Sequence, residues 1–226
     1  MFPISDSAKS GRIPLITLAI ILVNAFVFYE QITVPNQEAF IFQYALIPSS
    51  INLLNPQTLL PFITSMFLHG GFFHILSNMW FLWIFGDNVE ARLGVIKFTF
   101  LYLLAGTIGN LSQFMLTPNS DIPMLGASGA VSGVLGSYFV LFPSSNIRTF
   151  LFMFFFVTVT EIPAVIYIFY WFAIQLFSGI VSLPFTFATG GIAFWAHVGG
   201  FLTGLILARD WKSRGRQDII EGELVS

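Results

Sequence analysis

Residues 124–133 read MLGASGAVSG and place Ser128 between Gly126-Ala127 and Gly129, near the start of a long apolar run. Two readings compete. Small residues in a membrane segment let helix backbones approach closely, and Gly129 and Gly133 form a GxxxG pair, so the serine can be filler in a helix contact. A serine is instead a nucleophile when another segment brings a base to it. The rest of the chain bears on that choice.

The 226 residues are 56% hydrophobic and 9% charged, with 28 Phe, and the mean hydropathy is +0.83. A soluble domain carries roughly a quarter charged residues, so this is the composition of a polytopic membrane protein. The net charge of −2, with no basic stripe, gives no footing for nucleic-acid binding. The absence of cysteine excludes disulfides, metal thiolates and a thiol nucleophile.

A crossing needs about 20 apolar residues, and candidate spans fall near 13–29, 66–86, 97–116, 124–142, 162–180 and 188–208. The run from Thr149 to Ile180 would be about 48 Å long as one helix, too long for one crossing, and Glu161 and Pro163 interrupt it. The span is therefore read from 163. The preceding FLFMFFFVTVT (150–160) is poor helix material, expected at the interface or packed on the bundle. Lys9, Arg12, Arg92, Lys97, Arg148, Arg209, Lys212, Arg214 and Arg216 then all fall on one side. The loops 30–65, 117–123 and 181–187 hold no Lys or Arg. The positive-inside rule puts both termini in the cytoplasm. The N-terminal run reads as a retained first span, with no cleavage site after it, and 210–226 as a short polar cytoplasmic tail.

Ionisable groups inside a bilayer are functional candidates by default. His69 and His74 lie in the second span, His197 in the sixth, and Asn78 shares a helix face with His74. Measured from the expected span starts at 1.5 Å per residue, Ser128 is roughly 6 Å deep, His74 roughly 12 Å and His197 roughly 13 Å. These spans run in the same direction, so a hydroxyl, an imidazole and an imidazole–amide pair reach one level below the outer surface. A histidine in apolar surroundings is available neutral to take the serine proton. Asn, His and backbone N–H groups can hold the resulting oxyanion, and Ser128 sits in a first helical turn, where N–H groups lack intrahelical partners. His69, nearer the surface, is open between ordering water and sitting at the interface.

The combination resembles the rhomboid family of intramembrane serine proteases from about 60 to 209. GASG (126–129) matches its nucleophile motif and AHVGGFLTG (196–204) its AHxxGxxxG. LHGGFFHILSN (68–78), GDNVEARLG (86–94) and IPA…W…QLFSG (162–179) resemble its second span, the following loop and its fifth span. The resemblance implies an all-α, six-helix domain over 1–209, with the first outer loop (30–65) half-submerged beside it. Ser128 and His197 would be a dyad without an aspartate, with His74 and Asn78 at the oxyanion. Gly126, Gly129, Gly133, Gly200 and Gly204 would be packing positions, with Gly200 and Gly204 setting the sixth span against the fourth. Glu90 and Arg92 would be structural, and no cofactor or metal is implied.

Two departures stand out. Leu60-Pro61 replaces a Trp-Arg pair that many members carry, and Ser132 stands where some carry an aromatic stacked on the histidine, so the imidazole must be held otherwise. Membrane-protein substrates and a site opening to the extracytoplasmic side of a cell membrane follow from the resemblance.

Other chemistries find less support. There is no HExxH and no pair of membrane aspartates, and His69 and His74 point about 140° apart around a helix. A transporter would often show a two-fold repeat, which is not seen. A catalytically inactive relative that binds membrane proteins is the remaining alternative; such relatives typically lack the serine or histidine.

Overall fold

Breakers between apolar runs set the order of elements. The computed structural model describes residues 1–153, 156–183 and 192–225. Strand β1 (Phe2–Asp6) precedes helices α1 (Leu15–Thr33), α2 (Gln37–Tyr44), α3 (Pro61–Thr64), α4 (Phe72–Leu93), α5 (Val95–Leu116) and α6 (Ser128–Leu141). Strands β2 (Asn146–Met153) and β3 (Phe156–Pro163) lead into α7 (Ala164–Ser182) and α8 (Phe194–Val225).

The fold is a mostly helical membrane bundle. Among the described residues, α1, α5 and α7 are each long and apolar enough to cross a membrane. A fourth crossing is added if Pro56–Phe67 and α4, bent by 80°, are one broken span. The segment expected as a span at 124–142 is the 14-residue α6, about 21 Å long. Every residue from Gly129 to Tyr138 is buried. A helix apolar all round and enclosed by its neighbours has no need to match the bilayer thickness.

Within the spans expected from 66 and 188, the described helices α4 and α8 begin at Phe72 and Phe194. Gly70-Gly71, with Gly71 at φ 154°, separates α4 from the turn before it; residues 188–191 lie outside those described. At the other end of α4, Gly94 at φ 78° takes the left-handed conformation that ends the helix and starts α5. Helix α8 continues through the polar segment after 209 to Val225, with an Asp210–Arg214 pair at 2.9 Å.

An all-α chain was the expectation, and it needs correction. β1, β2 and β3 form an antiparallel sheet in that order. The alternating, β-branched VTVT of 157–160 explains β3. The sheet rests on the bundle through Trp80 of α4, whose Nε1 donates to Pro3 O at 2.8 Å. Asp6 also accepts bonds from Asn88 of α4 (2.9 Å) and from the Tyr138 hydroxyl of α6.

Two features hold the helices in place. Glu90, 5% exposed, caps α1: Oε1 accepts from Ile16 N (2.9 Å) and Oε2 from Thr17 N and Oγ1 (both 2.8 Å). Pro14 has no side-chain cap to offer, so this carboxylate supplies what the first turn lacks. The second feature is the absence of side chains where α5, α6 and α8 meet. A Cβ on Gly204 would lie 2.6 Å from Gly133 C, one on Gly200 2.8 Å from Gly129 C, and one on Gly109 2.5 Å from Ala196 O. Three backbones are therefore in direct contact beside Ser128.

Candidate active site

The N-terminal turns of α4, α6 and α8 share one cavity of about 690 Å³. Ser128 is the first residue of α6. Before it, Gly126 is at φ 124°, and a Cβ there would lie 2.8 Å from Cε1 and Nε2 of His74, so both conformation and space demand glycine. Gly126 N donates to Ser65 O (2.9 Å), and Met124 exchanges two backbone hydrogen bonds with Leu46 (2.8 and 3.0 Å). The turn into α6 is thereby fixed from two sides before Ser128 is reached.

His197 is the fourth residue of α8. Its Nε2 is 2.8 Å from Ser128 Oγ and its Nδ1 is 2.8 Å from Gln175 Oε1 on α7. The Trp171 ring lies tilted beside the imidazole with centroids 6.2 Å apart, and Phe194 meets it edge-on at 6.4 Å. Ser132, which stands where an aromatic would stack, turns back on its own helix and donates to Ser128 O at 2.6 Å.

His74 is the third residue of α4. Gly70 N donates to its Nδ1 at 3.2 Å, which leaves the proton of a neutral ring on Nε2, the nitrogen beside Gly126. Asn78 donates to His74 O at 2.9 Å and keeps a second amide proton. Both line the cavity with Ser128, His197 and Gln175, and among the described residues no carboxylate does. Among the described residues no group of three or more His, Cys, Asp or Glu is placed to hold a metal ion.

The remaining candidates lie elsewhere. His69 is fully buried within the protein, with neither ring nitrogen partnered among the described residues, and packs edge-on to His74 at 5.2 Å. Gln31 of α1 clamps the His69 backbone, donating to its carbonyl (2.6 Å) and accepting from its N–H (3.1 Å). Glu161 sits in β3 opposite Arg148. Leu60-Pro61 opens α3 with proline at its first position, and neither residue lines the cavity.

Sequence reasoning gave no role to Gln175, Gln31 or Gly109. A signal existed for Gln175: it is an amide in an otherwise apolar helix, one turn from Trp171. Chemically, the arrangement offers a hydroxyl on an imidazole nitrogen, a second imidazole N–H nearby, and the unpaired N–H groups of a helix start.

Comparison with known proteins bears on what this arrangement is for. The chain is 32% identical over 146 residues to "Rhomboid protease GluP" of Bacillus subtilis, a match covering 65% of this chain and 25% of that protein. It is 38% identical over 94 residues to "Rhomboid protein 1, mitochondrial" of Saccharomyces cerevisiae, covering 40% and 27% respectively. It is 38% identical over 76 residues to "Putative rhomboid protease YdcA" of Bacillus subtilis, covering 34% and 38%. The matches thus span between a quarter and two fifths of these relatives' own lengths. Residues 56–210 match the Rhomboid domain, a stretch holding Ser128, His197, His74, Asn78 and Gln175, and the chain belongs to the rhomboid family.

Proposed function

We propose that the protein is an intramembrane serine endopeptidase. The observation that carries this reading is the 2.8 Å approach of His197 Nε2 to Ser128 Oγ, in a cavity of a family that includes serine proteases. Ser128 attacks the carbonyl carbon of a peptide bond in or beside a transmembrane segment of another membrane protein. His197 takes the hydroxyl proton as the Ser128 Oγ–C bond forms, then gives it to the departing amine as the C–N bond breaks. Water, deprotonated by His197, hydrolyses the acyl-enzyme. His74 Nε2–H, the free amide proton of Asn78 and the Ser128 N–H hold the oxyanion.

In this reading the chain crosses the membrane six times. Both termini are cytoplasmic, on the side of all nine cations, and the cavity opens to the opposite side. Gly129, Gly133, Gly200 and Gly204 keep the backbones close enough for the dyad to form, and Gly126 makes room for His74.

The test uses purified parent, Ser128→Ala and His197→Ala proteins in liposomes with a tagged single-span substrate. Cleavage by the parent and by neither variant, all three equally folded, is the expected result. Undiminished cleavage by Ser128→Ala would refute the dyad. A parent that neither cleaves nor reacts with a fluorophosphonate at Ser128 would support the alternative, a rhomboid-like protein that binds membrane proteins without cutting them.

A further inference from the structure

We propose that Gln175 is the positioning residue of the dyad, its side-chain oxygen accepting the Nδ1 proton of His197. The inference rests on the peptidase reading and adds a third member that the family resemblance does not supply.

A neutral imidazole carries one proton, and only the nitrogen without it can accept from a hydroxyl. For Ser128 to be activated, that proton must sit on Nδ1, away from Ser128. Gln175 Oε1 has lone pairs and no hydrogen, and it stands 2.8 Å from Nδ1. A bond there holds the proton on Nδ1 and turns the Nε2 lone pair toward Ser128 Oγ, also 2.8 Å away. This is the orienting task that a buried aspartate performs in a serine triad. Here no carboxylate among the described residues lines the cavity, and an amide of the fifth span is the acceptor at hand.

The surroundings favour that orientation. Gln175 and Trp171 are four residues apart on α7, hence on one face. Trp171 and Phe194 bracket the imidazole. Ser132 is committed to Ser128 O and leaves the ring to this side. Sequence inspection left open what holds the imidazole in the absence of a stacked aromatic; Gln175 with Trp171 is the answer. A neutral acceptor also avoids burying a second charge in the membrane, where each ionised group costs several kcal/mol.

The experiment compares Gln175→Met, of nearly the same shape but without an acceptor, with Gln175→Glu, which when ionised can only accept. Gln175→Ala is a second deletion variant should methionine disturb folding. Melting temperature is checked for each, and two rates are measured in the full chain in liposomes: kcat and KM on the single-span substrate, and fluorophosphonate labelling of Ser128.

The expected result is a roughly 10- to 100-fold loss of kcat and of labelling rate in Gln175→Met and Gln175→Ala, with KM within about threefold of the parent. Gln175→Glu should recover most of both rates. Parental rates in folded Gln175→Met or Gln175→Ala would overturn the inference while leaving Ser128 and His197 in place. An equal loss in Gln175→Glu would overturn the acceptor role. An unreactive parent would remove the peptidase reading and this inference with it.

Discussion

Gly200→Ala places one methyl group where α6 and α8 share backbone contact. Its Cβ would lie 2.8 Å from the carbonyl carbon of Gly129, nearer still to that carbonyl's oxygen, and 3.3 Å from Ala105 O. Ordinary contact begins at 3.4 Å, so the shortfall at the carbon alone is about 0.6 Å, and the oxygen needs more. All three neighbours are backbone or held by backbone, so no rotamer change relieves the clash. The helices must part by about 1 Å. Gly129 adjoins Ser128, and Gly200 is one turn after His197, so the same opening acts on the 2.8 Å dyad bond and stretches it beyond hydrogen-bond range. Overpacking of this kind costs about 1–3 kcal/mol, and a misplacement of about 1 Å costs roughly 10²-fold in rate.

The assay measures cleavage of the single-span substrate and fluorophosphonate labelling, with the melting temperature in detergent. Gly179→Ala is the control, because its Cβ would meet only side-chain atoms, the nearest being Trp195 Cε2 at 3.2 Å. Gly200→Ala should melt several degrees lower and react about 100-fold more slowly, with Gly179→Ala near the parent. If Gly200→Ala matches Gly179→Ala in both readouts, backbone contact at this crossing does not set the dyad distance.

Two further predictions concern the supports of the bundle. Glu90→Ala removes three hydrogen bonds from the start of α1 and leaves neutral donors unpaired, at a cost of about 1–3 kcal/mol; thermal melting should show it, and an unchanged melting temperature would mean that α1 is capped another way. Burial holds the Asp6 carboxyl up at about 6, above the usual carboxylate range, with Asp87 adding to the rise and the Tyr138 hydrogen bond opposing it. Because the folded value exceeds the unfolded one near 3.9, the contribution of Asp6 is present below about pH 4 and lost as pH rises through 6. Melting temperatures from pH 5 to 8 should therefore fall more steeply in the parent than in Asp6→Asn, and parallel slopes would refute this.

How much of this was legible in the sequence depended on the range of the interaction. Ser128, His74, Asn78 and His197 could be singled out because a polar residue in an apolar run is conspicuous wherever it stands. Their grouping followed from counting spans. The break at Gly70-Gly71 before Phe72 was not visible, because hydropathy registers apolar content and passes over a change of backbone direction. The stretch 150–160 was poor helix material because it belongs to the β2–β3 pair over 146–163, and the third strand, β1, comes from the distant Phe2–Asp6. Gln175 and Gln31 show the same limit, since an amide's role is set by a partner 22 or 38 residues away.

The helix starts set the physics of the site as well as its boundaries. His74, Ser128 and His197 are the third, first and fourth residues of their helices, each within one turn of an N-terminus. Three positive dipole ends therefore face the cavity. That field favours a developing oxyanion in the proposed reaction. Helix α6, only 14 residues long and buried from Gly129 to Tyr138, begins among its neighbours, where its dipole acts at lower dielectric than in water. The glycine contacts along α5, α6 and α8 are what allow three such ends to converge without a side chain between them.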